Sequence, residues 1–216
     1  MKVLVACEES QTVCKAFRKR GHEAYSCDIQ ECSGGHNEWH IVQDVIPLLN
    51  GNCEFETVDG TKHKIEGKWD LIIAHPPCTY LSNAGSTWLY PQKGLISRER
   101  LVKGLDAKEF FMEFYNADCE KIAIENPVPN GIYRLPKYNQ IIQPYEYGHP
   151  YSKKTCLWLK GIEPLKPTNI ITENVISWVS SGSSCKNQKR CVGFNDAKTR
   201  SKTFDGIAQA MAEQWG

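Results

Sequence analysis

A thiol and a carboxyl group each follow a short apolar segment of this sequence. Cys78 comes after the run Leu71–Ala74 and two prolines, and Glu125 comes directly after Lys121–Ile124. Runs this short and apolar are typical of buried parallel strands, and proline ends a strand because it cannot donate to the ladder. Ligands of open α/β sheets bind outside the carboxyl ends of the strands. Both side chains are therefore expected at a ligand crevice, although a free cysteine is more often a buried small hydrophobic residue.

The two strands should be neighbours, because only one predicted helix lies between them and such crossovers are right-handed. Their carboxyl ends would then bring Cys78 and Glu125 to the same edge of the sheet. A thiolate there can add to an electron-poor ring while an acid protonates, or hydrogen-bonds, a ring nitrogen. A carboxylate beside a thiol raises the pKa of the thiol, so the pair requires a cationic group nearby or a bound substrate.

The composition is that of one globular domain with room for a small appendage. The chain has 216 residues, of which 41% are hydrophobic and 24% charged, and its net charge is +1. A charge so near zero creates no general attraction for nucleic acids, so any such binding must use local patches. No apolar run approaches the ~18 residues of a transmembrane helix. The N-terminal residues show no secretion signal and the ten cysteines indicate reduced thiols, so we expect a cytoplasmic protein without membrane contact.

The N-terminal residues predict a βαβ unit. The strand Lys2–Ala6 is followed by a helix at Thr12–Arg20 and by a second strand at Ala24–Cys27. Asp28 lies about twenty positions after the first strand, where an acidic residue binds ribose hydroxyls in nucleotide-binding folds. A solvated loop carboxylate is equally compatible with this spacing. The intervening turn Cys7–Gln11 lacks the glycines of a nucleotide loop.

The rest of the chain predicts an α/β fold with a mostly parallel central sheet. A hairpin is expected around residues 54–65, a lid or binding loop at residues 86–97, and a change of composition marks Gly161–Arg200 as a small C-terminal region. Helices are expected at Leu101–Asn116 and Phe204–Gln214. Further strands, or a turn in the first case, are expected at His40–Val45, Ile141–Tyr145 and Thr155–Leu159.

The residues around the thiol and the acid resemble two motifs of the cytosine-C5 DNA methyltransferases. The segment Pro76–Gly85 reads PPCTYLSNAG and is similar to PPCQxFSxAG, whose Cys is the nucleophile of that family. Glu125-Asn126-Pro127 resembles the ENV motif, whose Glu engages cytosine N3. The segment Gly148–Thr155 is similar in placement to the family's GVPQxRxR segment. The motifs stand in the family order, and the chain is most similar to short, phage-encoded members.

The resemblance implies a Rossmann-like fold that binds S-adenosylmethionine. Asp28 stands where the family's second-strand acid binds the ribose, and Asp44 with Val45 resembles the acid and apolar pair that meets the adenine ring. The turn Cys7–Gln11 replaces the family's glycine-rich motif. The residues expected at the cofactor are Ala6, Cys7, Glu8, Ser10, Asp28, Ile29, Asp44, Val45 and Pro76.

The segment after the sheet departs from the family, because its first arginine becomes Lys153 and its second aligns on Thr155. Lys154 is expected to take over a role at the base or a phosphate, and we place it with Cys78 and Glu125 among the catalytic residues. Lysine cannot copy a bidentate arginine contact. The residues expected at DNA are Ser82, Lys153, Lys189, Arg190 and Arg200, the last three from a basic cluster that as a bare pattern is more often a solvated surface.

The implied domains are a catalytic domain at residues 1–160, a target-recognition region at 161–200 and a C-terminal helix at 201–216 that packs back on the first. The implied reaction is methyl transfer from S-adenosylmethionine to C5 of a flipped cytosine, with an adduct between Cys78 and C6. The expected partner is double-stranded DNA, bound by a monomer in the cytoplasm of a bacterium or a phage-infected host. Alternatives are a related pyrimidine modification with another donor, or with a nucleotide or RNA as substrate, and a non-catalytic nucleic-acid-binding protein.

Four cysteines and histidines between the second and third predicted strands also invite a zinc interpretation. Their spacings lack the C-x2-C pair of common structural sites, so we expect no metal and favour a loop that flanks the cofactor. The four residues are Cys27, Cys32, His36 and His40.

Overall fold

A seven-stranded sheet forms the centre of the computed structural model, which describes residues 1–180, 191–194 and 201–216. In chain order its strands are β1 (Lys2–Ala6), β2 (Glu23–Asp28), β3 (His40–Val42), β6 (Leu71–Ala74), β7 (Ile122–Pro127), β8 (Gln140–Ile142) and β10 (Thr155–Lys160). In space they follow the order β3-β2-β1-β6-β7-β10-β8. The first five strands in this order are parallel, and β10 lies antiparallel to both of its neighbours. The predicted α/β fold with a mostly parallel, Rossmann-like sheet is confirmed.

The strand order reverses at β1. From there the chain adds β2 and β3 on one side, and β6 and the later strands on the other. Such a switch point leaves a crevice outside the carboxyl ends of the two strands that flank it. These ends are Ala6 on β1 and Ala74 on β6, which are paired with each other. The crevice therefore opens beside the residues that follow each of them.

Helices cover both faces of the sheet. They are α1 (Thr12–Lys19), α2 (Ser86–Leu89), α3 (Arg98–Tyr115) and α4 (Asp205–Trp215). Alternate residues of β1 face opposite sides: Leu4 packs in the core with α3, and Val5 packs in the core with α1 and α4. This alternation makes β1 a strand buried on both faces, as its continuous apolar sequence predicts.

Two smaller sheets accompany the central one. The strands β4 (Cys53–Glu56) and β5 (Lys62–Ile65) form the predicted hairpin. The strands β9 (Tyr151–Ser152), β11 (Ile176–Ser180) and β12 (Cys191–Phe194) form a parallel sheet in which β11 lies in the middle. Residues around 151 thus connect the central sheet to the C-terminal region.

Several element boundaries differ from the predictions by a few residues. Helix α3 begins at Arg98, three residues before the predicted start, because the hydroxyl of Ser97 accepts the amide N–H of Arg100 and caps the helix. Strand β7 continues past the predicted end at Ile124, through Glu125 to Pro127. The strand expected at Ile141–Tyr145 is shorter and shifted, and a 3-10 turn replaces its second half.

Across the parts of the chain that the structure describes, no helix combines the length and the apolar character needed to cross a membrane.

Helix α4 packs against the chain at its first turn without a side chain in between. The amide N–H of Gly206 donates to Nε2 of His149 at 3.0 Å. A Cβ atom at this position would overlap the carbonyl oxygen of Tyr147. The close approach therefore depends on glycine at position 206.

We expect Gly206→Ala to lower the free energy of unfolding by about 1–3 kcal/mol, because the added methyl group must push α4 away from the Tyr147 backbone. Urea denaturation measures this change. Gly131→Ala is the matched control, since an added Cβ there meets no atom within 4 Å, and its effect should stay within about 0.5 kcal/mol. Equal effects of the two substitutions would contradict the close packing.

Candidate active site

The structure brings Cys78 and Glu125 to the same edge of the sheet. Strands β6 and β7 are parallel neighbours, and Ala74 is paired with Ile124. Glu125 is thus in register with His75, the first residue after β6, and Cys78 follows three residues later. The predicted adjacency of the two strands is confirmed, and the chain connects them through α3.

The loop that carries Cys78 is tied to the chain after β7 by main-chain hydrogen bonds. The amide of Asn83 donates to the carbonyl of Val128, and the amide of Asn130 donates to the carbonyl of Leu81. Within the loop, the amide of Ser82 donates to the carbonyl of Cys78. Because the two segments share a hydrogen-bond network, the thiol is held at a fixed place beside the end of β7.

Two side chains from other elements also hydrogen-bond to this loop. The buried Asn126 donates from Nδ2 to the carbonyl oxygen of Pro76 at 2.8 Å. From α3, the guanidinium of Arg100 donates to the carbonyl oxygen of Thr79 at 2.8 Å and stacks over the ring of Tyr80. Cys78 itself is half-buried, and its loop is anchored on both sides of it.

Glu125 lies in a pocket of polar groups from three distant parts of the chain. Its Oε2 atom is 3.1 Å from Nδ1 of His75 and accepts the hydroxyl of Thr203 at 3.2 Å. The side chains of His75 and Glu125 are only 14% and 12% exposed. The positive charge of Lys153 lowers the pKa of both His75 and Glu125. Among the residues that the structure describes, no hydrogen bond to Oε1 of Glu125 is present.

The charges of this pocket support one another. Burial raises the pKa of Glu125, but the hydrogen bond and charge of His75, the charge of Lys153 and the hydroxyl of Thr203 outweigh it, so the pKa is lowered. Burial lowers the pKa of His75, but the hydrogen bond and charge of Glu125 and the charge of Glu8 outweigh it, so the pKa is raised. The arrangement favours an imidazolium beside a carboxylate. It supplies the cationic groups that a thiol and a carboxylate at one site require.

The crevice at the switch point is acidic. Burial and the charges of Asp28, Cys27 and Asp44 raise the pKa of the Cys7 thiol above its usual range. Asp28 and Asp44 are therefore close to Cys7, at the carboxyl end of β1. The raised pKa disfavours the thiolate of Cys7, which is the nucleophilic form of a thiol.

Glu8 fills the N-terminus of α1. Its carboxylate accepts the amide N–H of Val13 at 2.6 Å and that of Cys14 at 3.1 Å. These amides belong to the free donors at the start of a helix, which bind a phosphate in many nucleotide sites. In this chain the side chain of Glu8, from the turn Cys7–Gln11, occupies that position.

The other residues expected at the cofactor surround this crevice in different environments. Ala6 and Val45 are buried in the core. Ser10 is buried, and its hydroxyl bonds that of Thr12. Ile29 is 78% exposed, unusual for such an apolar side chain, and the buried Pro76 accepts the hydrogen bond from Asn126. They lie at or after the ends of β1, β2, β3 and β6, and their roles stay predictions.

The structure places some of the residues expected at DNA near the carboxylate of Glu125. Ser82 is buried in the loop of Cys78, and Lys153 acts on Glu125 through its charge. Lys154, expected among the catalytic residues, is exposed, and its charge lowers the pKa of Cys156; its catalytic role stays a prediction. Trp88, in the loop after Cys78, is 72% exposed. The three remaining residues, Lys189, Arg190 and Arg200, lie outside the described residues.

The histidine and cysteine cluster of the zinc alternative is engaged in other contacts. Nδ1 of His40 bonds the hydroxyl of Ser26 at 2.9 Å, and Nε2 bonds the carbonyl of Gln30 at 2.8 Å. His36 stacks on Trp39 and bonds Glu38. Within the described ranges, no three metal-ligating side chains are grouped around a common point.

Sequence reasoning missed two partners of Glu125, namely His75 and Thr203. His75 directly precedes the two prolines, and the predicted pairing of β6 with β7 was a usable signal for its contact with Glu125. Thr203 is 78 residues away from Glu125 in sequence. Nothing in the local pattern around Thr203 indicates the contact.

The pair of His75 and Glu125 should stabilise the fold over a limited pH range. The lowered pKa of Glu125 gives stability that is present above pH 4.5 and is lost as the pH falls through the folded-state pKa. The raised pKa of His75 gives stability that is complete below pH 6.5 and is lost as the pH rises through the folded-state pKa. We expect the difference in unfolding free energy between wild type and His75→Gln to reach about 2 kcal/mol between these values and to shrink at alkaline pH.

Urea denaturation at a series of pH values measures this difference. His63→Gln is the control, because it makes the same change on the β4–β5 hairpin, away from the pair. A difference for His75→Gln that does not vary with pH would contradict the ion pair.

Comparison with known proteins adds similarities of fold only. No family model and no curated protein sequence matches this chain. A prophage-encoded E. coli protein described as a DNA modification methyltransferase has a TM-score of 0.44 and 14% identity, over 82% of this chain and 53% of that one. The Entamoeba histolytica methyltransferase EhMeth has a TM-score of 0.44 and 12% identity, over 79% and 57%.

The S. pombe methyltransferase Dnmt2 has a TM-score of 0.39 and 14% identity, over 76% of this chain and 51% of that one. The chain thus spans about half the length of these solved structures. At such identities and TM-scores, no activity of this chain follows from the likeness.

Proposed function

We propose that this chain is a DNA cytosine-5 methyltransferase that acts through a covalent adduct between Cys78 and C6 of a flipped cytosine. The observation that carries the proposal is the anchored loop of Cys78 beside Glu125, whose carboxylate is surrounded by His75 and Lys153. A thiol next to a hydrogen-bonded acid is suited to attack on a ring carbon with charge forming at a ring nitrogen. The motifs around both residues resemble those of the cytosine-C5 methyltransferases.

Each residue has a defined part in this reaction. Cys78 forms the bond to C6, and Glu125 stabilises the charge that develops at N3. C5 then becomes nucleophilic and receives the methyl group. Water, acting as base, removes the C5 proton, and elimination frees Cys78. Oε2 of Glu125 is occupied by His75 and Thr203, so Oε1 is the oxygen that the orientation leaves for the base.

S-adenosylmethionine fits the crevice at the switch point better than a phosphorylated cofactor does. Bound there, it would supply an electrophilic methyl group. The side chain of Glu8 already accepts the helix-start amides that a phosphate would otherwise bind, so this position is filled. Asp28 and Asp44 instead suit a ligand with hydroxyl groups and positive charge.

The remaining parts of the proposal concern the cofactor face and the DNA. Asp28 would hold the ribose hydroxyls, and the exposed Ile29 together with Val45 would contact the adenine. Residues 161–200 would read a short target sequence, and residues 201–216 would close the catalytic domain of residues 1–160. Lys153, Lys154 and the basic residues between 189 and 200 would contact the phosphates of double-stranded DNA.

A trapping experiment tests the nucleophile and the substrate together. We expect DNA that contains 5-fluorocytosine to form a stable adduct with the wild-type protein in the presence of S-adenosylmethionine, because fluorine at C5 cannot leave as a proton does. Denaturing electrophoresis and peptide mass spectrometry locate the adduct, which should be on Cys78. Cys78→Ser should give none, whereas the control Cys32→Ser, which changes a cysteine with a hydrogen bond to Asn37, should react as wild type does.

The outcomes separate the alternatives. An adduct with a free nucleotide or with RNA, but not with DNA, selects a related pyrimidine modification. Retained methylation in Cys78→Ser would overturn the covalent scheme. The absence of S-adenosylmethionine binding, together with the absence of any adduct, would support a non-catalytic nucleic-acid-binding protein instead.

Calorimetry tests the cofactor crevice by itself. We expect S-adenosylmethionine to bind and Asp28→Ala to weaken that binding by roughly 10- to 100-fold, because the ribose hydroxyls then lose the charged carboxylate that accepts their hydrogen bonds. The control Asp106→Ala removes an exposed carboxylate on α3 and should leave affinity unchanged. A dinucleotide with a pyrophosphate should not bind; tight binding of one would contradict the part assigned to Glu8.

A further inference from the structure

His75 is a buried titratable group to which the proposed reaction gives no role. Its ring touches Glu125 through Nδ1 at 3.1 Å. Its Nε2 atom is fully buried and, among the described residues, has no hydrogen-bond partner. A buried polar atom without a partner is costly, so its presence at a candidate site calls for an explanation.

The proposed reaction also needs a source for the proton that N3 receives. When Cys78 attacks C6, the ring nitrogen N3 gains charge and needs a proton, not only a negative neighbour. Glu125 has a lowered pKa and is ionised at neutral pH, so it has no proton of its own to give. The proton must come from a group in contact with Glu125.

His75 is the group that can supply it. Its pKa is raised because the contributions of Glu125 and Glu8 outweigh burial, and Lys153 opposes them. These three are the charged groups that act on His75, from β7, from the turn after β1 and from the segment before β10. Lys153 also acts on Glu125, but the structure gives it no hydrogen bond to the carboxylate among the described residues, whereas His75 is directly bonded to it.

We propose that His75 is a positioning residue that holds the proton which Glu125 passes to N3 of the bound base and then takes it back. The proposal rests on the proposed function, and it adds a residue that precedes the two prolines of the loop. Before the transfer, Thr203 donates to Oε2, the same carboxylate oxygen that faces His75. Once Oε2 carries the proton, rotation about the last side-chain torsion of Glu125, which is broad, turns this oxygen toward the base.

The proton and electron movements balance. Cys78 first loses its thiol proton to water, and the thiolate gives an electron pair to the new bond with C6. The π pair of the C5–C6 bond then shifts to C4–C5, and the π pair of the C4–N3 bond moves onto N3. The Nδ1–H bond of His75 breaks while an O–H bond forms on Glu125, and that O–H bond breaks while N3–H forms. His75 is then neutral. After the C5 proton is lost and the C6–S bond breaks, N3 returns its proton by the same route.

The test compares the pH profiles of adduct formation in wild type and His75→Gln. Glutamine can donate a hydrogen bond to Glu125 but cannot release a proton. We expect the rate of His75→Gln to be lower by roughly 100-fold at neutral pH, with an unchanged affinity for S-adenosylmethionine. The wild-type rate should fall as the pH rises through the raised pKa of His75, above 6.5, and this alkaline fall should be absent from the variant. His63→Gln, the matched control, should keep the wild-type rate and profile.

A second measurement does not need the variant at position 75 to fold. In the wild-type protein, NMR titration of the ring protons of His75 should give a pKa above 6.5, and Glu125→Gln should lower it. Titration at or below the ordinary value would overturn the proposal.

The two levels of the proposal fail in different ways. An active wild type whose pH profile and rate are shared by His75→Gln overturns the part given to His75 and leaves the proposed function standing. A wild type that forms no adduct with any pyrimidine substrate overturns the proposed function and this inference with it.

Discussion

The parallel pairing of β6 with β7 is the constraint on which the site depends. It places Ala74 opposite Ile124, so that the next residues on the two strands face each other as a histidine and a glutamate. The prolines after β6 then turn the chain out of the sheet and over the end of β7. A shift of this register by one residue would reverse the side of each later side chain and separate the thiol from the acid.

The electrostatics of the site follow from the pairing of β6 with β7 and from side chains that distant parts of the chain bring to Glu125. A carboxylate as buried as that of Glu125 would be protonated if it were alone, because burial disfavours the charged form. His75 after β6, Lys153 before β10 and Thr203 before α4 together reverse that tendency. The motifs that contain Cys78 and Glu125 therefore do not form the site alone. The three side chains that lower the pKa of Glu125 come from three different parts of the fold.

The sequence was sufficient to predict the features that follow from local patterns and general chirality. The buried strands around Leu71–Ala74 and Ile122–Pro127, and their adjacency, followed from apolar runs and right-handed crossovers. The filling of the α1 N-terminus by Glu8 was not predictable, because a carboxylate in a turn has the same pattern whether it binds a ligand or caps a helix. The contact of Thr203 with Glu125 depends on how α4 packs, and that packing is set by the clearance at Gly206 rather than by residue 203 itself.

The place of β10 has a consequence for the order in which the molecule can fold. This strand lies between β7 and β8, although both precede it in the chain. The outer edge of β7 thus has no partner until residues 155–160 have been synthesised and enter the gap, and long-range pairings of this kind form slowly. Lys153 arrives with that strand. A nascent chain that already contains both the thiol and the acid therefore has an unfinished site, and its reactive groups acquire their charged surroundings only when the sheet is complete.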